Sequence, residues 1–312
     1  MSDSVVTSSE TAIAQGSQSF AAAAKLFRRE TRDDAVMLYA WCRYCDDVID
    51  GQTLGHDQEA RYRDGQEQRL AGLKTETTRA LSGEPHPEPV FEALRRVVAR
   101  HQIPARHPQE LLAGFEMDVI ERRYETVSET LDYCYHVAGV VGVMMAMIMG
   151  VRDEETLDRA CDLGLAFQLT NIARDVIDDA RVGRVYVPAE LLSRHRIDRV
   201  DTEDPAQRAA LHAAALDLLD LAERYYASAM AGLSALPPRS AWAIAAARRI
   251  YRAIGLKLRA GGPAAWERRV STTKPEKLRL LALALGDVAK SRTAGPGAPR
   301  TGLWQRPRPQ RP

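Results

Sequence analysis

Residues 168–179, Gln-Leu-Thr-Asn-Ile-Ala-Arg-Asp-Val-Ile-Asp-Asp, carry the side chains best suited to chemistry. On a helix, Asn171, Asp175 and Asp179 recur every fourth position and Gln168 falls one turn before Asn171, so four oxygen-bearing side chains share one stripe. Leu169, Ile172, Ala173, Val176 and Ile177 fill the other faces, which places the stripe inside a protein. Carboxylates in apolar surroundings need compensation. A divalent cation supplies it, and a ligand set made only of oxygen favours magnesium or manganese over zinc. Asp46 and Asp50 repeat the spacing at the end of another apolar stretch. Negative charge is unfavourable at a helix C-terminus, and Arg43, one turn earlier, neutralises only part of it. Alone, such a pair reads as a solvated helix end. The recurrence at Asp175 and Asp179 instead argues for two acid pairs facing each other across a helical cavity, holding magnesium ions around a diphosphate. Arg174, Arg181 and Arg184 are suited to grip phosphate oxygens, or else to pair with Asp178 and its neighbours.

The elements that must position these side chains read as helices throughout. Ser17 or Ser19 caps a first helix through Phe20, Leu26 and Phe27. A second begins near residue 31, carries Val36, Leu38, Tyr39, Trp41, Cys42 and Cys45, and stops at Gly51. Residues 57–82 predict an exposed helix, 89–102 a further one, and another runs from 108 toward Tyr124. Thr126 and Glu129 form a capping-box pattern that opens a helix containing Tyr133. That helix continues into the apolar run 137–149, where Ala138, Gly139 and Gly142 either wall a tunnel for a hydrocarbon or mark tight helix packing, with equal weight. The acid-bearing helix is predicted over 153–180, and three more over 204–235, about 242–261 and 275–290. The fold class is therefore all-α; the length suits one large domain or two smaller ones, no Gly/Ser-rich linker divides it, and the expectation is a single helical domain over 16–291 around a central apolar cavity. A flexible N-terminus (1–15) precedes it and a disordered Pro/Arg-rich tail (292–312) follows.

Composition removes other classes. Lys and Arg number 43 against 42 acidic residues, a net charge of +1, so no bulk field recruits nucleic acid. The first residues lack the pattern of a secretory signal, which predicts a cytoplasmic protein. The run 137–149 is shorter than the roughly 20 residues a membrane span needs. Four cysteines fit a reducing compartment and core positions. Cys42 and Cys45 sit mid-helix, without the second ligand pair that zinc requires. His86, His101 and His107 flank prolines and read as loop residues. No Ser/His/Asp arrangement, phosphate loop or dinucleotide fingerprint is evident. Acid pairs, arginines and an apolar cavity suit ionisation of a prenyl diphosphate, in which cations stabilise the leaving group and aromatic faces such as Phe20, Tyr39, Tyr133 and Tyr251 shelter the allylic cation.

The segment from Tyr39 through Arg43 and Asp46 to Asp50, and the segment from Gln168 to Asp179 followed by Arg184-Val-Tyr-Val-Pro188, closely resemble the two signatures of the squalene and phytoene synthases. The resemblance spans roughly residues 15–290. It implies an isoprenoid-synthase fold and a prenyltransferase that condenses two prenyl diphosphates head to head through a cyclopropylcarbinyl diphosphate. Carried over by position, Asp46 and Asp50 resemble the first metal-binding acids, and Asn171, Asp175 and Asp179 the second set. Together they would hold about two or three magnesium (or manganese) ions. Gln168, Arg43, Arg174, Arg184 and Tyr39 match substrate-contacting positions, as do Tyr133 and Tyr251, and Ser17, Ser19 and Phe20 resemble the family's entry segment. The wording around Tyr39 is similar to the bacterial phytoene-forming branch, which uses two C20 geranylgeranyl diphosphates, serves carotenoid biosynthesis and needs no NADPH. Alternatives are a squalene, dehydrosqualene or hydroxysqualene synthase using C15 farnesyl diphosphate, and a non-catalytic lipid-binding or assembly protein of the same fold. The greasy substrates suggest peripheral membrane contact through the Arg-rich tail or a tunnel mouth.

Overall fold

The computed structural model describes residues 4–16, 22–52, 61–293 and 299–308, and every regular element among them is helical. In chain order the principal helices are α1 (Ser4–Gly16), α2 (Arg29–Asp50), α3 (Gln66–Leu81), α4 (Pro89–His101), α5 (Arg106–Val119), α6 (Val127–Cys134), α7 (Val140–Ile148), α8 (Glu154–Arg181), α9 (Ala189–Arg194), α10 (Arg208–Gly232), α11 (Pro238–Gly261) and α12 (Lys274–Thr293). The all-α expectation is met. The chain groups into two compact units, residues 1–122 with 143–152 and 236–244, and residues 123–142 with 153–235 and 245–312.

In the first unit α2 buries Val36, Met37, Leu38, Ala40, Trp41, Cys45 and Ile49, the apolar stripe read from the sequence. It packs against α1 and α4. Asp34 on α2 is also buried, and Arg100 and His101 at the end of α4 reach its carboxylate at 2.5 and 2.8 Å. His101 is thus a tie between helices rather than a loop residue. His107 is likewise buried within α5 beside Glu110, and buried His86 meets Glu76, so all three histidines have structural partners. Residues 1–15, expected to be flexible, largely form α1. Its Val5, Ser9 and Ile13 are buried, an i, i+4, i+8 stripe that the polar composition disguises.

In the second unit the capping box closes as predicted, with Glu129 N–H donating to Thr126 Oγ1. The small residues beyond it mark close packing. A Cβ on Gly142 would lie 2.5 Å from the Ala160 carbonyl oxygen, and one on Gly164 would lie 2.4 Å from that of Ala138, so these backbones nearly touch α8 and its glycine. Of the two readings of this stretch, tight packing is the one realised there. The apolar segment Val127–Ile148 is long enough to cross a membrane by composition, but 67% of its most apolar window is buried in protein.

The tail departs from its expected disorder between residues 299 and 308. Arg300 makes a two-pronged pair with Asp162 at 2.8 and 2.6 Å, and Arg306 Nε donates to Asp158 at 2.8 Å. Trp304 packs on Tyr135 at 5.3 Å between ring centroids, and its backbone N–H donates to the Tyr225 hydroxyl. Composition suggested a solvated segment, but two buried aspartates on α8 supply its arginines with partners.

Candidate active site

The first acid pair sits at the C-terminal end of α2, whose last carbonyls lack intrahelical partners. Gly51 ends the helix at φ 59°, a left-handed conformation that glycine adopts without strain. Gln66 Nε2 then donates to the Ile49 carbonyl at 2.9 Å, and Arg69 Nε donates to that of Val48 at 2.8 Å. Two residues of the α3 region therefore fix the helix end and place a cation near its negative pole. Arg43 bridges Asp46 at 3.0 Å and Asp47 at 2.9 Å. Burial acts against the Arg43 charge, but Asp46, Asp47 and Tyr39 outweigh it and raise its pKa, which also places Tyr39 in the same electrostatic group.

Asp46 is the perturbed acid here. Desolvation comes first and repulsion from Asp50 second, with Asp47 and Asp118 adding to it against the opposing pull of Arg43, and together they push its pKa up to about 7. Its side chain keeps 38% exposure, so solvent reaches it among the neighbouring acids. Such a group gains most from a cation that takes the place of its proton.

The second set lies on α8 as the spacing predicted. Leu169, Ile172, Ala173, Val176 and Ile177 are buried, while Gln168, Asn171, Arg174, Asp175 and Asp179 are half-buried and Asp178 is exposed. Asn171 Nδ2 donates to Gln168 Oε1 at 3.4 Å. Arg174 holds Asp175 through both prongs, Nε at 2.7 Å, and Arg269 approaches the same carboxylate at 3.6 Å. Burial opposes the Arg174 charge, but Asp175, Tyr251 and Asp179 raise its pKa, so four predicted site residues form one electrostatic group. Beyond Asp179 the chain folds back. Gly183 takes φ 79° and Arg184 N–H donates to the Asp179 carbonyl at 2.9 Å, which seats Arg184 at the helix end. Arg181 pairs with exposed Asp178 at 3.3 Å, the alternative role considered for it.

Tyr251 stacks on Phe167 with centroids 4.2 Å apart, immediately before Gln168 in the chain. Tyr133 stacks on Tyr186 at 4.7 Å and meets Tyr124 at 5.4 Å. The segment bearing Tyr186 is pinned in turn, since Thr130 Oγ1 donates to the Tyr186 carbonyl and Ala189 N–H to that of Tyr124. Sequence reading missed Asp47, Gln66, Arg69, Phe167 and Arg269. Only Asp47 and Phe167 carried a signal, as neighbours of Asp46 and Gln168. Ser17, Ser19 and Phe20 lie outside the described residues.

The donor set is made of oxygen atoms suited to a hard divalent cation. Among the described residues no three His, Cys, Asp or Glu side chains converge on one point. Magnesium does not require that, because it keeps several waters and takes one or two carboxylates beside phosphate oxygens. The α8 stripe supplies a direct sign of fit. Asn171 Oδ1 is buried and accepts no hydrogen bond, a state that costs about 1–3 kcal/mol and that a hard cation relieves.

Comparisons with known proteins agree with this chemistry. A model of the squalene/phytoene synthase family matches residues 13–276. The 15-cis-phytoene synthase of Paracoccus sp. (strain N81106 / MBIC 01143) is 59% identical over 307 residues, 98% of this chain and 99% of that protein. That of Enterobacter agglomerans is 54% identical over 94% of this chain and 99% of its own length. Among solved structures, a dehydrosqualene synthase in complex with ligand is 26% identical and superposes with a TM-score of 0.82 over 92% of this chain and 97% of that one.

Proposed function

This chain belongs to the squalene/phytoene synthase family, and on that premise we propose that it condenses two C20 geranylgeranyl diphosphates head to head to phytoene. The first ionisation releases one diphosphate, forms a carbon–carbon bond to the second substrate and loses a proton, leaving a cyclopropylcarbinyl diphosphate. The second ionisation releases the other diphosphate, and loss of a second proton gives the C40 hydrocarbon. No hydride enters, so no nicotinamide is required.

The observation that carries the site assignment is the α8 stripe, where Asn171 presents an unsatisfied oxygen one turn before Asp175. Asn171, Asp175 and Asp179 would hold one set of cations and Asp46 and Asp50 another, with magnesium or manganese the chemical fit. Bound there, the metal neutralises charge developing on the departing diphosphate. Arg43, Arg174 and Arg184 bind and orient phosphate oxygens. Gln168 and Tyr39 position substrate, and the rings of Tyr133 and Tyr251 stabilise the allylic cation by their faces without trapping it. Ser17, Ser19 and Phe20 are proposed for the entry segment. The four cysteines are free thiols, which supports the cytoplasmic reading.

The test is chromatography of products after incubation with magnesium and, separately, C20 or C15 diphosphates, with and without NADPH. A C40 triene from the C20 substrate alone is the expected result. A C30 product from the C15 substrate, with none from C20, overturns the substrate assignment. Absence of diphosphate release from either makes the acid pairs structural.

A further inference from the structure

Six large apolar side chains are exposed among the described residues, and Leu278, Leu283 and Leu285, at 69%, 43% and 52% exposure, lie on the single helix α12, with Leu256 of α11 a fourth. Scattered exposed leucines need no explanation, but a cluster on one element does. Leu278, Ala282, Leu285 and Ala289 recur at i, i+4, i+7 and i+11 and are all exposed, so they form one apolar stripe along the outer face. The opposite face is spent on packing. Ala284, Asp287 and Ser291 are buried there, and Asp287 is held by Arg249 at 2.6 Å.

The charges around the stripe have one sign. Lys274, Arg279 and Lys290 are exposed and have no acidic partner among the described residues. Helical geometry puts Lys274 on one side of the stripe and Arg279 and Lys290 on the other. The helix has only two acids, Glu276 and Asp287. Glu276 pairs with Lys257 at 2.6 Å and Asp287 with Arg249, so neither opposes an anion on the outer face. An apolar stripe bordered by cations is the pattern of a helix lying in the headgroup layer of a bilayer. In the described part of the Arg-rich tail, Arg300, Arg306 and Arg308 are instead engaged by Asp158, Asp162 and Glu154.

We infer that α12 docks the protein on an anionic lipid surface, with Leu278 and Leu285 entering the acyl boundary and Lys274, Arg279 and Lys290 meeting lipid phosphates. This surface lies outside the residues assigned to catalysis, and its binding is measured without substrate, so the inference stands or falls apart from the reaction proposed above. It gives C20 substrates, which partition into lipid, a short route to the enzyme.

The experiment is co-flotation of the full chain with vesicles of phosphatidylcholine alone or with phosphatidylglycerol at about three parts in ten, at low and high salt. Binding to the mixed vesicles that falls with salt is expected, with little on neutral ones. Each cation removed by Arg279→Gln or Lys290→Gln should lower partitioning by about fivefold. The pair Leu278→Gln with Leu285→Gln should abolish it while turnover of detergent-dispersed substrate is kept. Both leucines are exposed, so the pair leaves the fold intact, and the single Gln variants test the surface independently. No flotation, or flotation unchanged in all these variants, overturns the inference. Sedimentation velocity separates the competing occupant: self-association lost in the leucine pair, without vesicle binding, makes the stripe a protein interface and equally overturns it.

Discussion

Helix α8 carries two pairs of aspartates at the same i, i+4 spacing, and the structure treats them in opposite ways. Asp158 and Asp162, in its first half, are buried and fully matched, by Arg306 at 2.8 Å, Arg308 at 2.5 Å and the two-pronged Arg300, with Ser228 donating to Asp162 as well. Asp175 and Asp179, in its second half, stay half-buried beside an amide oxygen that nothing satisfies. Spacing alone does not make a metal site. A buried pair whose oxygens are all taken by arginines of a distant segment is architecture, whereas a half-buried pair held by its own neighbour Arg174, beside an unsatisfied amide oxygen, is placed to exchange its partners for a cation.

The largest expected effect comes from destroying the half-buried pair. Asp175→Ala should lower turnover by on the order of 10³-fold or more, the scale of losing one strong transition-state stabiliser, and Asp46→Ala should act similarly. Far-ultraviolet circular dichroism should be unchanged in both. Full activity in either variant would remove that aspartate from the metal set and erase the contrast.

How far the sequence could reach follows from this contrast. The acid stripe, the end of α2 at Gly51 and the capping box were legible because each depends on local periodicity or a local backbone need. Asp158 and Asp162 passed unnoticed because their partners lie more than a hundred positions away in a tail whose composition suggests disorder. Gln66 and Arg69 were invisible for a related reason, since they act on the backbone carbonyls of another helix, which no residue type advertises. The Ala138–Gly142 stretch was ambiguous in principle, because small residues permit either a ligand or a backbone to approach. The Ala160 carbonyl decides it at Gly142.

The matched pair should respond to loss of its partners through stability instead of chemistry. Arg300→Ala strands Asp162, whose side chain is 0% exposed, and breaking a buried pair in this way costs about 3–5 kcal/mol. Urea denaturation of the full chain measures it. Asp162→Asn should cost less, because the neutral amide no longer demands a counter-charge and still accepts from Ser228. Magnesium dependence of the folded fraction should be unchanged in both. A stable Arg300→Ala protein with weakened magnesium response would show that the two halves of α8 are not functionally separate.

The α2 pair extends the comparison to pH. The Asp46 pKa rises from 3.8 to about 7 on folding, by desolvation first and Asp50 second. The native state therefore holds this proton more tightly than the unfolded chain. Its contribution to stability is present below the unfolded value and is lost as pH rises through about 7. In a chelator, the melting temperature of the wild type minus that of Asp46→Asn should fall across this window. Magnesium should flatten the fall, since the cation displaces the proton and binds more tightly as pH rises. A difference independent of pH, with and without metal, would mean that Asp46 is as fully compensated as Asp162.

The smallest effect is also the most discriminating. Arg269 reaches Asp175 at 3.6 Å but its own side chain is 70% exposed, so solvent and salt screen the pair and it is worth roughly 0–1 kcal/mol. Arg269→Ala should shift the denaturation midpoint barely at all, in contrast to Arg300→Ala, whose aspartate partner lies on the same helix as Asp175. Its expected signature is kinetic: a KM for the diphosphate substrate raised a few-fold at low ionic strength, a difference that closes as salt is added, and an unchanged kcat. If the variant loses stability on the scale of Arg300→Ala, then Asp175 relies on Arg269 as Asp162 does on Arg300, and the contrast between the two pairs loses its physical basis.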